Sequence, residues 1–110
     1  MKVAYHPNAL SRLEEIDDFW SEAAGAARAQ QITDELLRVC GLLADNPLLF
    51  ERFYLWAWPP RPRQFRKGGL KPYAVVYVVV PERDTVLVVD YWHGARDPDA
   101  LRDELERLAV

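Results

Sequence analysis

The stretch PYAVVYVVVPERDTVLVVDYWH, residues 72–93, is the most informative segment of this chain about its fold. It contains two runs of β-branched and aromatic residues, Pro72–Val80 and Thr85–His93, which are typical of β-strands. The short segment Pro81–Asp84 separates the runs, so the two strands are predicted to pair as an antiparallel hairpin. Both runs are apolar at consecutive positions, which indicates that both faces of the sheet are covered.

Two amphipathic helices are predicted upstream of this hairpin. The first begins at Pro7 and Asn8, because Pro suits the first helical turn and Asn suits the N-cap, and it ends at Gly25. The second ends at Asn46 and Pro47. Each has apolar residues at helical spacing along one face, so together they are expected to form a helical hairpin.

Three shorter elements complete the secondary-structure prediction. Lys2–His6 and Pro62–Lys67 are strand candidates. Asp99–Leu108 has leucines at helical spacing and an acidic outer face, which predicts a short C-terminal helix. Either Asp97 or Asp99 is expected to cap this helix.

These elements make one α+β domain over residues 1–110, in the order β-α-α-β-β-β-α, with a small and mostly antiparallel sheet. The helical hairpin is expected to pack on one face of that sheet. A helical hairpin covers only one face, and the last helix is short and charged. The other apolar face is therefore expected to need a partner, either a second copy of the chain or a different protein.

Composition and charge exclude several classes of protein. The chain is 50% hydrophobic and 28% charged, as ordinary globular domains are, and its net charge of −3 gives the whole chain no electrostatic case for nucleic acid. The single cysteine, Cys40, excludes an internal disulfide and is expected to be a core thiol. No metal or cofactor motif, signal peptide or membrane span is recognised, so a cytoplasmic protein without a membrane partner is predicted.

The charge is distributed unevenly along the chain. From Arg52 to Pro81, here called the basic window, there is no Asp or Glu; its six Arg and Lys residues carry +6, which leaves −9 for the rest. Aromatic residues lie between the basic ones, a pattern that fits an acidic protein partner, a nucleic acid or a solvated strand edge guarded by cations. The candidate binding residues in this window and in the strand hairpin are Trp56, Trp58, Arg61, Arg63, Arg66, Lys67, Lys71 and Trp92.

The segment DYWHGARDP, which begins at Asp90, ends the last strand and combines turn-forming residues with groups that could do chemistry. Histidine exchanges protons readily near neutral pH, so His93 is a candidate general base. The simpler interpretation of His93 is a hydrogen bond to the backbone at the strand end. Arg96 could bind a phosphate or stabilise negative charge, whereas its simpler interpretation is an ion pair with Asp90 or Asp97.

The order of the elements and four short segments together resemble the RelE/ParE superfamily of type II toxins. The segments are YHPNALSRLEEI, LLADNP, PYAVVY and HGARDP, and the resemblance covers nearly the whole chain. It implies a growth-inhibiting toxin of the plasmid-stabilisation kind, encoded beside an antitoxin. The antitoxin would wrap the toxin with an extended or helical segment, and the two would form a hetero-oligomer.

Two activities occur in that superfamily, and the residues favour one of them. RelE-like members cut mRNA on the ribosome, several of them with an Arg in the third strand and a Tyr near the C-terminus, whereas ParE-like members poison DNA gyrase. Here Ala74 and Arg102 occupy those two positions, while HGARDP looks like the ParE-type ending, with Arg96 matching the Arg after the last strand. The resemblance therefore predicts a ParE-like toxin that acts by binding. The alternatives are an mRNA interferase with His93 and Arg96 in its site, and a non-toxic binding module.

Overall fold

The computed structural model describes residues 1–52, 64–69 and 71–108. The predicted order of helices and strands is confirmed. None of the described helices has the length and apolarity needed to span a membrane. The elements are β1 (Lys2–Tyr5), α1 (Pro7–Ala24), α2 (Ala26–Leu42), β2 (Arg66–Gly68), β3 (Tyr73–Val80), a 3-10 turn (Pro81–Arg83), β4 (Thr85–His93) and α3 (Pro98–Arg107).

The strands form one mixed sheet in the order β1-β4-β3-β2. β3 pairs antiparallel with both β2 and β4, whereas β1 runs parallel to β4, with Lys2 opposite Thr85 and Tyr5 opposite Val88. Parallel neighbours cannot be joined by a tight turn. The chain therefore crosses over the sheet through α1 and α2 and later returns to place β4 beside β1.

The helical hairpin of α1 and α2 covers one face of the sheet, as predicted. Cys40 is fully buried there, with its Sγ 3.5 Å from the Tyr91 hydroxyl, and burial raises the pKa of its thiol. Its predicted place in the core is confirmed. The buried cluster on this face consists of Ala9, Ile16, Leu36, Val39, Cys40, Leu43, Tyr73, Val75, Tyr77, Val86, Val88 and Tyr91.

The opposite face of the sheet is covered by α3, so the expectation of an open apolar face is wrong. Leu101 and Leu105 are spaced so that both fall on one side of the helix, and both are buried against the sheet. The charged residues of α3 do not prevent this packing. Asp103, Glu106 and Arg107 are exposed, and the partly buried Glu104 is bound by Arg12. The second buried cluster consists of Phe65, Val76, Val78, Val80, Val89, Trp92, Leu101 and Leu105.

A β-bulge interrupts the pairing of β3 with β4 close to the strand end. Tyr77 lies opposite Val88, but the preceding residue Val76 lies opposite Asp90. Val89 is therefore an extra residue on β4. Because side chains alternate between faces along a strand, one extra residue changes which face each later side chain reaches. The bulge thus sets the orientation of the strand end.

The structure corrects the predicted N-cap of α1 and identifies which of two candidate residues caps α3. The N-cap of α1 is His6, not Asn8: the Nδ1 atom of His6 accepts a hydrogen bond of 3.0 Å from the backbone N–H of Asn8. The side-chain amide of Asn8 instead donates to the Val89 carbonyl at 2.8 Å and ties α1 to β4. For α3, Asp97 is the cap, and its Oδ1 accepts from the N–H of Asp99 at 3.0 Å.

β2 is shorter than the strand predicted over Pro62–Lys67. It begins at Arg66 and ends at Gly68, which pair with Tyr77 and Val75 of β3. Residues 62 and 63 lie outside the described residues. Residues 64 and 65 precede the strand and are not part of it.

Candidate partner-binding groove

An open groove of about 310 Å³ lies between α1 and the end of β4. We call it the strand-end groove. It brings together side chains of the first helix and of the last strand, which are distant in sequence. Its apolar and aromatic lining consists of Ile16, Phe19, Trp20, Tyr73 and Tyr91. Its charged or titratable lining consists of Arg12, Glu15, His93 and Arg96.

Phe19 presents an unusually exposed aromatic ring to this groove. It is 60% exposed, and its ring meets that of Trp20 edge to face, with the centroids 5.4 Å apart. Trp20 is held in turn by a hydrogen bond of 3.0 Å from its Nε1 to the Tyr73 hydroxyl. An exposed aromatic ring with firm support is the kind of side chain that anchors a protein partner.

A second groove, of about 330 Å³, adjoins the first. Trp20 and Tyr73 line both, so the two grooves are continuous at this hydrogen-bonded pair. We call the second one the hairpin groove, after the helical hairpin of α1 and α2, because α2 supplies much of its lining. Its charged lining residues are Arg28, Glu35 and Lys71. Two cations against one carboxylate give this lining a formal excess of one positive charge, and Glu35 also forms an exposed ion pair with Arg38.

His93 is tied to the backbone of the turn that follows β4. Its Nδ1 accepts a hydrogen bond of 3.0 Å from the N–H of Ala95, and its ring meets that of Tyr73 edge to face, with the centroids 5.3 Å apart. A neutral imidazole that accepts through Nδ1 carries its proton on Nε2. In this arrangement Nε2 is a hydrogen-bond donor, and the lone pair of Nδ1 is occupied by the contact with the turn.

Arg96 stacks on Trp92 and does not pair with the acids expected from the sequence. Its Cζ lies 4.2 Å from the centre of the Trp92 ring. Asp90 is instead bound by Arg12, and Asp97 caps α3. Stacking uses the face of the guanidinium and leaves its N–H edge available for an anion. Trp92 itself is only 3% exposed, so it supports Arg96 and offers a partner little surface of its own.

The basic window contributes only in part to these grooves. Arg66 uses its Nη1 within the fold, donating to the Phe50 carbonyl at 2.8 Å. Lys67 is exposed on β2, and Lys71 lines the hairpin groove. The remaining candidates from this window lie outside the described residues: Trp56, Trp58, Arg61 and Arg63.

An ionic cluster is centred on Arg12, which lines the strand-end groove together with Glu15. The Nε of Arg12 donates to Oδ1 of Asp90 at 3.1 Å, its Nη1 to Oε2 of Glu15 at 2.9 Å, and its Nη2 to Oε1 of Glu104. The Asp90 side chain has no exposed surface, and those of Arg12 and Glu104 are 17% and 16% exposed. Burial and the neighbouring Glu104 raise the pKa of Asp90 to about 7, although Arg12 opposes the shift. The cluster joins α1, β4 and α3.

The lining of the strand-end groove suits recognition better than bond breaking. Cleavage of RNA by its 2′-hydroxyl needs groups that accept and donate a proton near the phosphate. Burial raises the pKa of the Tyr91 hydroxyl far above its ordinary value, and Glu15 is held in an ion pair. His93 is therefore the described lining residue best able to exchange a proton near neutral pH. In the described parts of the chain, no three His, Cys, Asp or Glu residues are grouped as a metal ion requires.

Several residues of this site escaped the sequence analysis, although two signals pointed to them. Phe19 is an aromatic residue off the apolar stripe of α1, which is a sign of a functional surface. Asp90 is an acid inside an apolar strand, which is a sign of a buried ionic partner. The partner could not be identified from the sequence, because Arg12 and Asp90 are 78 positions apart.

Residues 3–98 match the profile of a family described as the ParE toxin of type II toxin-antitoxin system, parDE. The match spans β1 to the beginning of α3 and so includes both grooves. No protein with a curated description matches the sequence.

Solved structures share the fold at low sequence identity. The chromosomal ParDE toxin-antitoxin system from P. aeruginosa superposes with a TM-score of 0.67 at 14% identity, covering 84% of this chain and 95% of that one. The archaeal RelE-RelB complex from Pyrococcus horikoshii OT3 gives 0.55 at 15% identity, with coverages of 87% and 97%. The isolated E. coli RelE toxin gives 0.50 at 17% identity, with coverages of 97% and 98%. At such identities the likeness establishes the fold alone.

Proposed function

Since this chain belongs to the ParE toxin family of type II toxin-antitoxin systems, we propose that it inhibits growth by binding an essential target and is neutralised by a cognate antitoxin. The observation that carries the proposal is the strand-end groove. Phe19 offers it an exposed aromatic anchor and Arg96 a stacked cation. Its described lining offers only His93 for proton transfer near neutral pH, and His93 is engaged with the backbone. Such a lining favours binding over catalysis.

The antitoxin segment that suits these grooves carries apolar anchors flanked by acidic side chains. Its apolar residues would cover Phe19, and its carboxylates would pair with Arg96, Arg28 and Lys71. The resulting complex is a hetero-oligomer. The similar structures from P. aeruginosa and Pyrococcus horikoshii OT3 are described as a ParDE system and a RelE-RelB complex, which supports a partner of this kind. The basic window is a further predicted contact for the same segment.

DNA gyrase is the proposed target, by analogy with the family. A toxin that binds gyrase would act in the cytoplasm. Purified toxin in molar excess is expected to inhibit supercoiling by gyrase, and equimolar antitoxin is expected to restore it. Supercoiling that is unaffected by excess toxin would exclude gyrase and leave another binding target.

An mRNA interferase is the second candidate, and one observation favours it: His93 and Arg96 line the same groove. This version of the site predicts that His93→Ala or Arg96→Ala abolishes toxicity while the fold is preserved, and that His93→Ala also preserves antitoxin binding. Toxicity retained in both single variants would eliminate it.

One cellular experiment separates these candidates. The chain is induced in bacteria without its antitoxin, and the 5′ ends of mRNA are mapped minutes later. Growth arrest with intact mRNA is the result expected for a toxin that acts by binding. New 5′ ends in frame within translated codons would establish the ribonuclease instead. No arrest from folded protein would overturn the proposal and leave a non-toxic binding module.

A further inference from the structure

The ionic cluster around Arg12 contains more negative charge than one guanidinium balances. Glu15 of α1, Asp90 of β4 and Glu104 of α3 all contact Arg12. Oδ1 of Asp90 is well satisfied, because it accepts from Arg12 and from the N–H of Tyr91 at 2.8 Å. The second oxygens, Oδ2 of Asp90 and Oε2 of Glu104, are buried and have no hydrogen-bond partner among the described residues.

Two carboxyl oxygens can hydrogen-bond to each other only when one of them carries a proton. An ionised carboxylate that has lost its water without gaining a donor is costly to bury. One proton between Oδ2 of Asp90 and Oε2 of Glu104 would satisfy both oxygens and remove one negative charge from the cluster. The Glu15 side chain is 65% exposed and solvated, so the buried part of the cluster, Arg12 with Asp90 and Glu104, then carries no net charge.

We propose that Asp90 and Glu104 share one proton below neutral pH, and that this proton fastens α3 to the sheet. Asp90 lies on β4 directly after the bulge and Glu104 lies on α3, so the shared proton bridges the two elements. When the proton is lost, the two carboxylates repel each other. Glu104 can then turn towards the open hollow that it borders together with Arg96 and Arg107. The attachment of α3 then rests on its apolar contacts and on Arg12.

The direction of the pH dependence follows from the state of Asp90. Burial and Glu104 raise its pKa from an ordinary 3.8 to about 7, so the folded chain retains a proton that the unfolded chain releases. The stability contributed by this proton is fully present below about pH 4 and is lost as the pH rises through about 7. Between these two pH values, each unit of rise in pH lowers the ratio of folded to unfolded protein by up to about tenfold through this group.

Substitution by the matching amides tests the shared proton. In Asp90→Asn or Glu104→Gln, the amide donates the hydrogen bond at every pH and keeps the oxygen that Arg12 binds. Denaturant unfolding of the full chain is measured at about pH 5 and about pH 8. The wild type is expected to be less stable at the higher pH than at the lower. Either variant is expected to abolish the share of this loss that comes from the shared proton.

The control is Glu106→Gln, which removes the same charge from an exposed position of α3. It is expected to keep the pH dependence of the wild type. If Glu104→Gln also keeps the full pH dependence, the shared proton is overturned. This outcome can be read even if Asp90→Asn does not fold.

Two further measurements test the site and the helix separately. The carboxyl carbon of Asp90, followed by NMR, is expected to titrate near pH 7; a midpoint close to the ordinary aspartate value would overturn the proposal. Hydrogen-exchange protection factors of α3 are expected to fall between about pH 5 and about pH 8, while those of α2 change less. An equal loss in both helices would refute the specific role assigned to α3.

Discussion

Gly25 shows how one residue can serve two helices. Its backbone has φ +91° and ψ 163°, a conformation that L side chains rarely adopt. Its N–H closes α1 by donating to the Ser21 carbonyl at 3.1 Å, and its carbonyl accepts from the N–H of Ala29 in α2, also at 3.1 Å. The sequence predicted a break at this glycine. The backbone angles explain why the break needs a glycine.

Gly25→Ala is therefore expected to destabilise the fold by about 1–3 kcal/mol, because the new side chain makes this backbone conformation unfavourable. Gly41→Ala is the matched control. It lies within α2, and an added Cβ meets no heavy atom within 4 Å, so a neutral effect or a gain of up to about 1 kcal/mol is expected. Denaturant unfolding at constant pH measures both. A Gly25→Ala variant as stable as the wild type would contradict this account of the junction.

At the scale of elements, α3 decides whether the sheet has an open face. Its composition is dominated by charge, which led the sequence analysis to treat it as a poor cover. The spacing of Leu101 and Leu105 matters more than that composition, because residues one turn apart pack on the same side of a helix. Asp97 caps the helix, and Glu104 connects it to Arg12. α3 is thus attached by apolar, capping and ionic contacts together.

Leu105→Ala is expected to cost about 2–5 kcal/mol, since it leaves a cavity at a fully buried position between α3 and the sheet. Leu48→Ala makes the same chemical change at a residue that is 66% exposed, and its effect is expected to stay within about 0.5 kcal/mol. Thermal and denaturant unfolding of the two variants provide the comparison. Similar losses for both would mean that α3 contributes little to the second core.

At the scale of the whole molecule, the two grooves combine apolar lining with local positive charge on a chain whose net charge is −3. The overall charge disfavours nucleic acid, whereas Arg28, Lys71 and Arg96 favour an acidic segment at this surface. Phe19 adds an aromatic anchor beside Trp20, which lines both grooves. This combination is the reason for placing the antitoxin across the two grooves.

Phe19→Ala is expected to weaken antitoxin binding by about 30-fold, which corresponds to about 2 kcal/mol for the loss of a central aromatic anchor. Leu49→Ala is the control, because Leu49 is 48% exposed but lines neither groove. Calorimetric titration of each folded variant with purified antitoxin measures the affinity. Equal affinities for both variants would place the antitoxin elsewhere on the toxin.

The order of the elements, the strand hairpin, the break at Gly25 and the burial of Cys40 could all be predicted from the sequence alone. These features depend on local periodicity, turn residues and helix breakers, which can be recognised without knowing the fold. The sequence also singled out His93 and Arg96 at the strand end, and both line the strand-end groove. It supplied the resemblance to the RelE/ParE superfamily, which the ParE family match and the shared fold confirm.

The contacts between residues distant in sequence could be found only in the folded chain. The tertiary structure placed α3 over the second face of the sheet, Phe19 beside the strand end, and Arg12 between Asp90 and Glu104. The bulge at Val89 is one reason why these contacts could not be predicted. A single extra residue reorients the end of β4, and no local sequence pattern indicates it. The other reason is that burial turns an ordinary aspartate into one that titrates near neutral pH, and burial is a property of the folded chain.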